Sequence, residues 1–110
     1  VNPQGEVETA KLGNLLRFRR RPHAPKQILL VGHYDTVFGA DHPFQIPAII
    51  DHDRLGGPGV ADLKGGLVVM LEAVRLFEAS PLAEPCGWEV ILNPDEEIGS
   101  PGSAPLLIEA

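Results

Sequence analysis

Two apolar runs, QILLVGHYDTV at residues 27–37 and WEVILNPDEE at 88–97, flank one long amphipathic segment, KGGLVVMLEAVRLFEAS at 64–80. Contiguous Ile, Leu and Val suit strands buried on both faces, as in parallel sheets. In the middle segment the polar positions Glu72, Arg75 and Glu78 or Ala79 recur every three to four residues, a helical period. Strand, helix, strand predicts a parallel pair joined by a right-handed crossover. The fold class that follows is α/β, a mixed sheet with flanking helices. The helix is expected to lie on the sheet with most of its surface covered.

The remaining segments fill in around this unit. The opening VNPQGEVE is polar and reads as irregular, and KLGNLLRFRR alternates imperfectly. With RPHAPK as the turn, that second segment and the strand after it suggest an antiparallel hairpin. FGADHPFQIPA is a loop punctuated by Pro and Gly. AIIDHDRLGG reads as a short hairpin with Asp51, His52 and Asp53 at its turn. SPLAEPCG ends the long helix, and SPGSAPLLIEA begins another with Ser100 or Ser103 as its cap. Residue 110 falls about two turns into this last helix, so the chain reads as a piece of a longer protein.

Composition closes off several function classes. A hydrophobic share of 44% argues against disorder, and a net charge of −6 argues against nucleic acid as a partner. Six of the basic residues (Lys11, Arg17, Arg19, Arg20, Arg21 and Lys26) precede residue 27, where charge protecting an exposed strand edge explains them. The lone cysteine, Cys86, rules out an internal disulfide framework and suits a reducing, cytoplasmic setting. Its neighbours AEPCGWE supply no histidine or positive charge that would favour a thiolate nucleophile. No apolar stretch approaches the ~18 residues of a membrane span.

Ligands of open α/β sheets bind at the carboxyl ends of the strands. There the first run delivers His33 and Asp35, two residues apart and on the same side if extended. The second run delivers Asp95, Glu96 and Glu97, three acids whose crowding raises the energy of ionising each one. GGPGVADLKGG sets Asp62 just before the long helix. Imidazole with carboxylates is a ligand set for zinc, and a carboxylate can bridge a pair of metals. A cation would relieve the crowding of the acids, which in its absence predicts raised pKa values in this cluster.

In this order and spacing, GHYDTV, GPGVADLKGG and NPDEEIGS resemble three signatures of a co-catalytic zinc hydrolase family. It is the metallopeptidase and amidohydrolase family of glutamate carboxypeptidase (carboxypeptidase G type), aminoacylase, acetylornithine deacetylase and succinyl-diaminopimelate desuccinylase. The resemblance covers about residues 28 to 105. It implies a zinc-peptidase-like fold, with residues 1–110 the N-terminal portion of a catalytic domain. The smaller domain, through which the whole protein would form a homodimer, is absent from this stretch. It implies a metal-dependent hydrolase that cleaves the amide bond of an N-acyl amino acid, or releases a C-terminal amino acid, using water activated by two Zn²⁺ ions, with Co²⁺ or Mn²⁺ as substitutes. Partners other than the small-molecule substrate, including nucleic acid and membranes, are not expected.

Residue by residue, the resemblance makes His33 a zinc ligand, Asp62 the carboxylate bridging two metals and Glu97 a ligand of the second zinc. It makes Glu96 the general base and Asp35 the carboxylate that orients the His33 imidazole, and it implies a cis peptide bond between Asp62 and Leu63. Two further ligands, an acid and a histidine, lie downstream of Glu97 in the family. This stretch alone is therefore expected to bind zinc weakly and to be inactive.

Each residue also has a simpler reading. Asp62 could be the N-cap of the long helix, and His33 a buried structural histidine. Asp51, His52 and Asp53 suit a turn without any ion. His23 and His42 sit among prolines in loops, with His42 close enough to the His33 strand end to approach the site. Two other functions compete: a binding module that keeps the fold without the chemistry, and a Mg²⁺-nucleotide enzyme using ILNPDEE. GGPGVADLKGG lacks the phosphate-loop spacing that the second would need.

Overall fold

A computed structural model describes residues 12–110 of the chain; the polar opening and Lys11 lie outside the described residues. In chain order the elements are β1 (Leu16–Arg20), β2 (Lys26–His33), β3 (Ala48–Ile49), β4 (Leu55–Gly56), α1 (Gly65–Glu78), β5 (Cys86–Asn93) and α2 (Ala104–Ile108). β2 and β5 pair in parallel from Lys26 opposite Cys86 to His33 opposite Asn93. α1 connects them, as the apolar runs and the helical period predict. The sheet is mixed, because β1 runs antiparallel along the other side of β5.

The expected β1–β2 hairpin does not form. The strand order is β1-β5-β2, so β5 separates the two. The reason lies in β5 itself, whose two edges are both well matched. On one edge it takes the apolar β2. On the other it presents Glu89 opposite Arg19, and the Glu89 carboxylate pairs with both Arg17 and Arg19. Opposite charges facing across antiparallel strands favour this register over its alternatives. Those arginines hold the Glu89 carboxyl below its ordinary range, Arg17 most strongly and against the effect of burial. β1 is thus the edge strand its charge suggests, and four of its neighbourhood's arginines are paired with acids of the same fold.

The other two close α1 onto the sheet. At the end of α1 the Glu78 carboxylate accepts hydrogen bonds from Arg21 and from Trp88 Nε1 (2.7 Å), and it lies 2.7 Å from Arg20 Nε. The Arg21 hydrogen bonds, chiefly, push the Glu78 carboxyl from 4.5 down to about 2. A carboxyl depressed on folding contributes stability that is fully present above its unfolded pKa of 4.5 and is lost as pH falls toward 2. Glu78→Gln should therefore flatten the acid limb of the stability profile within that window, as measured by thermal melts. An acid limb that matches the parent's would contradict it.

α1 rests on the sheet through one face. Leu67, Met70 and Val74 oppose Phe18, Trp88, Val90 and Leu92 across an apolar cavity of about 410 Å³. Gly32 lets the helix approach, since a Cβ there would sit 2.7 Å from Leu67 Cδ2. The expectation of a mostly covered helix fails, because Val68, Val69 and Leu76 remain more than half exposed. One sheet covers one side of a helix, and no second layer lies over these residues among those described. Ile91, at the centre of β5, is fully buried. β3 and β4 form the expected hairpin, with Asp51 Oδ1 accepting the Asp53 N–H (3.0 Å) in its turn. α2 starts after Ser103, one of the two expected cap positions, but the hydroxyl does not cap the helix and is engaged elsewhere.

Candidate metal centre

Because β2 and β5 are parallel, their carboxyl ends share one edge of the sheet, and α1 begins there on its way between them. His33 is the last residue of β2 and is almost fully buried. Just past β5, residues Glu96–Ile98 form a single tight helical turn. The third contribution comes from Val60–Lys64, a kinked turn in which Asp62 leaves the helical conformation (φ −132°, ψ 99°). Gly59 opens this turn with φ 68°, a left-handed backbone that glycine adopts without penalty. Lys64 Nζ donates to the Pro58 carbonyl (2.7 Å) and closes it. The Asp62–Leu63 peptide bond is cis, as the family resemblance implies.

Three side chains converge. One ligand atom each from His33, Asp62 and Glu97 lies within 4.8 Å of the other two. His33 Nε2 is 3.1 Å from Asp62 Oδ1, and His33 Nδ1 is 3.2 Å from Asp35 Oδ1. Asp35 thus faces the far side of the imidazole, the position from which a carboxylate fixes tautomer and ring orientation. Its other oxygen, Oδ2, accepts the Glu97 backbone N–H (3.0 Å), so one carboxylate steadies two of the three groups. Sequence reading misses that second bond, which joins residues 62 apart along the chain. Glu96 stands beside the trio, its Oε2 3.9 Å from His33 Nε2 and its side chain half exposed.

The electrostatics favour a cation here. Burial works against a charged imidazole, yet the surrounding carboxylates of Asp62, Glu96 and Asp35 outweigh it and hold the His33 pKa above its ordinary value. Imidazole nitrogen with two carboxylate oxygens is a donor set that zinc accepts, and a buried Nδ1–carboxylate contact is the usual support for such a histidine. The residues present therefore fit a divalent metal.

The N-cap reading of Asp62 fails. α1 starts at Gly65, Lys64 precedes it, and no side chain caps it. Asp51, His52 and Asp53 stay in their hairpin turn, where His52 pairs with Asp53 and Asp51 with Arg54. His42 packs against Phe38, with ring centroids 4.9 Å apart and planes tilted by 48°, and accepts the Phe44 N–H, and it does not join the cluster.

Asp95 departs from expectation. Its pKa is lowered rather than raised: burial disfavours the charge, but hydrogen bonds from Ser103 and Gly102 more than offset it. The three consecutive acids are not crowded together. Asp95 turns into the protein while Glu96 and Glu97 turn out, and the small residues of SPGS that follow were the available signal that backbone donors could close around it.

A family model described as peptidase family M20/M25/M40 matches residues 29–110. The chain belongs to this family. Among curated M20 relatives, carboxypeptidase G2 of Pseudomonas sp. (strain RS-16) is 37% identical over 84 residues, covering 76% of this chain and 20% of that protein. Cysteinylglycine-S-conjugate dipeptidase of Corynebacterium striatum is 34% identical over 92 residues, covering 76% and 19%. A putative succinyl-diaminopimelate desuccinylase DapE of Mycobacterium tuberculosis (strain ATCC 25618 / H37Rv) is 37% identical over 78 residues, covering 71% and 20%. The chain thus spans about a fifth of the length of the M20 relatives it matches. No solved structure matches it significantly. Among the described residues no helix is long and apolar enough to cross a membrane.

Proposed function

We propose that residues 1–110 are the N-terminal portion of a catalytic domain of zinc-peptidase-like fold. The complete protein is then a cytoplasmic amidohydrolase, assembled as a homodimer, that cleaves an N-acyl amino acid or releases a C-terminal amino acid. The observation that carries this reading is the convergence of His33, Asp62 and Glu97 within 4.8 Å, with Glu96 close by but outside the trio. The names of the relatives (a carboxypeptidase, a dipeptidase and a desuccinylase) support it.

In this proposal His33, Asp62 and Glu97 would hold the metals, Asp62 as the carboxylate common to both, and one acid and one histidine from later in the complete chain would complete the set. Two zinc ions, when bound, supply Lewis acidity that brings a water's pKa to near 7 and polarises an amide carbonyl. Glu96 accepts a proton from the attacking water as its oxygen bonds to the carbonyl carbon. The same carboxyl then gives that proton to the amine nitrogen as the C–N bond breaks, yielding a carboxylic acid and an amine. Asp35 keeps the His33 ring fixed with Nε2 toward Asp62. Glu96 does this work from a half-exposed position, where a substrate has access to it.

Stripping the complete protein with a chelator should abolish hydrolysis of N-acyl amino acids, and adding Zn²⁺ or Co²⁺ should restore it. Full activity in demonstrably metal-free protein would end the proposal.

A further inference from the structure

Asp95 is 1% exposed, and its carboxylate is engaged by Gly102 and Ser103. Its Oδ2 accepts the Gly102 N–H (2.6 Å) and the Ser103 N–H (3.2 Å), and its Oδ1 accepts the Ser103 hydroxyl. The Asp95 carbonyl accepts the Ser100 N–H (2.7 Å), and the Glu96 carbonyl accepts the Gly99 N–H (2.8 Å). From the end of β5, Asn93 Nδ2 donates to Ser100 Oγ (3.0 Å) and to Ser103 Oγ (3.3 Å). The chain from Asn93 to Ser103 is in this way laced to itself, with Glu96 and Glu97 on the turn at its tip.

Two observations separate this lacing from ordinary loop packing. All three donors converge on a carboxylate, and hydrogen bonds to an ionised, buried acceptor are the strong kind. The approach is also close, since a Cβ on Gly102 would sit 3.1 Å from Asp95 Oδ2, nearer than ordinary van der Waals contact. Within the same turn, Asp35 Oδ2 takes the Glu97 N–H. The turn that carries Glu96 and Glu97 is therefore gripped between two carboxylates, one of which also faces His33.

We propose that Asp95 is a positioning residue. Through Gly102 and Ser103 it fixes the Glu96–Ile98 turn against Asp35, and so sets the reach of Glu97 to the metal and of Glu96 to the water. This rests on the hydrolase reading above. Asp95 touches neither metal nor substrate. Asparagine is nearly the same shape but uncharged: its oxygen can still accept the Gly102 and Ser103 N–H groups, while its NH₂ replaces the oxygen that accepts the Ser103 hydroxyl, so the charge-assisted bonds that hold the loop are lost. A purely structural Asp95 would lower stability and leave each folded molecule's metal affinity intact.

The test uses the complete protein, freed of metal and titrated with Co²⁺ by visible absorption. Folded Asp95→Asn should bind Co²⁺ about 10–100-fold more weakly, the range for residues that support metal ligands. Its kcat should fall with little change in KM, and amide exchange at Gly102 and Ser103 should speed up in the metal-free form. Co²⁺ affinity and kcat within about two-fold of the parent would overturn the proposal. If Asp95→Asn does not fold, Ser103→Ala decides, because it removes one donor and keeps the backbone pair. A several-fold weakening of Co²⁺ binding then supports the proposal and an unchanged affinity overturns it. Glu97→Gln separates the two levels: if it weakens Co²⁺ binding while Asp95→Asn does not, positioning alone fails. If Glu97→Gln has no effect either, the metal centre itself is misassigned and the proposal falls with it.

Discussion

A Glu96→Gln variant of the complete protein should hydrolyse an N-acyl amino acid about 10²–10⁴-fold more slowly than the parent, the range of a positioned general base, with its metal content unchanged. The split between rate and metal content follows from the position of Glu96. Its Oε2 lies 3.9 Å from His33 Nε2, at the rim of the cluster and outside the trio of converging ligand atoms. A carboxylate bound to a metal gives up proton affinity to the ion, whereas one held beside it keeps that affinity for a water. Glutamine keeps the size and polarity of Glu96 but cannot take a proton at neutral pH. Removing the charge should therefore act chiefly on proton transfer and leave the three converging ligand atoms in place. Metal analysis by mass spectrometry, run beside steady-state kinetics, checks both halves. A Glu96→Gln protein that loses its metal would make Glu96 a ligand, and one that keeps full activity would remove it from the chemistry.

What sequence could and could not anticipate divides along a physical line. The β2–α1–β5 unit was legible because its signals are local: unbroken Ile, Leu and Val in the strands, and a three-to-four residue period in the helix. His33, Asp62 and Glu97 were legible as a group because parallel strands bring their carboxyl ends to one edge, and three motifs in register resembled one family. The partner of β1 was not legible. Its choice of β5 over β2 depends on Arg17 and Arg19 meeting Glu89, a pairing across about 70 residues that no local pattern encodes. The direction of Asp95 was hidden for a related reason. Three acids in a row look like one charged patch until the backbone turn sends the first of them inward, to donors that lie seven and eight residues later. The exposed flank of α1 was missed because the periodicity reports which faces are apolar, not which of them finds a neighbour.

Changing Asp62 to alanine should remove metal binding and hydrolysis from the complete protein while leaving its folded state nearly as stable as before. The second half follows from where the Asp62 side chain makes its contacts. It caps no helix, for α1 begins three residues later without a side-chain cap, and its side chain is 74% exposed. Its hydrogen-bond partner is His33 Nε2, so an alanine deletes one contact at the mouth of the site and leaves the core around Ile91 untouched. Loss of an exposed carboxylate of this kind changes stability by about 1 kcal/mol or less. The functional loss should be far larger. Without Asp62 the remaining pair, His33 and Glu97, offers two donors where three converge, and the carboxylate proposed as common to both ions is gone. A drop in rate of about 10³-fold or more is expected if the cations supply both the acidity of the water and the polarisation of the carbonyl. Denaturant unfolding and metal titration of the same preparation separate the outcomes. A variant that unfolds readily would make Asp62 a structural residue, and one that is stable and still holds two metals would leave the centre without its shared ligand.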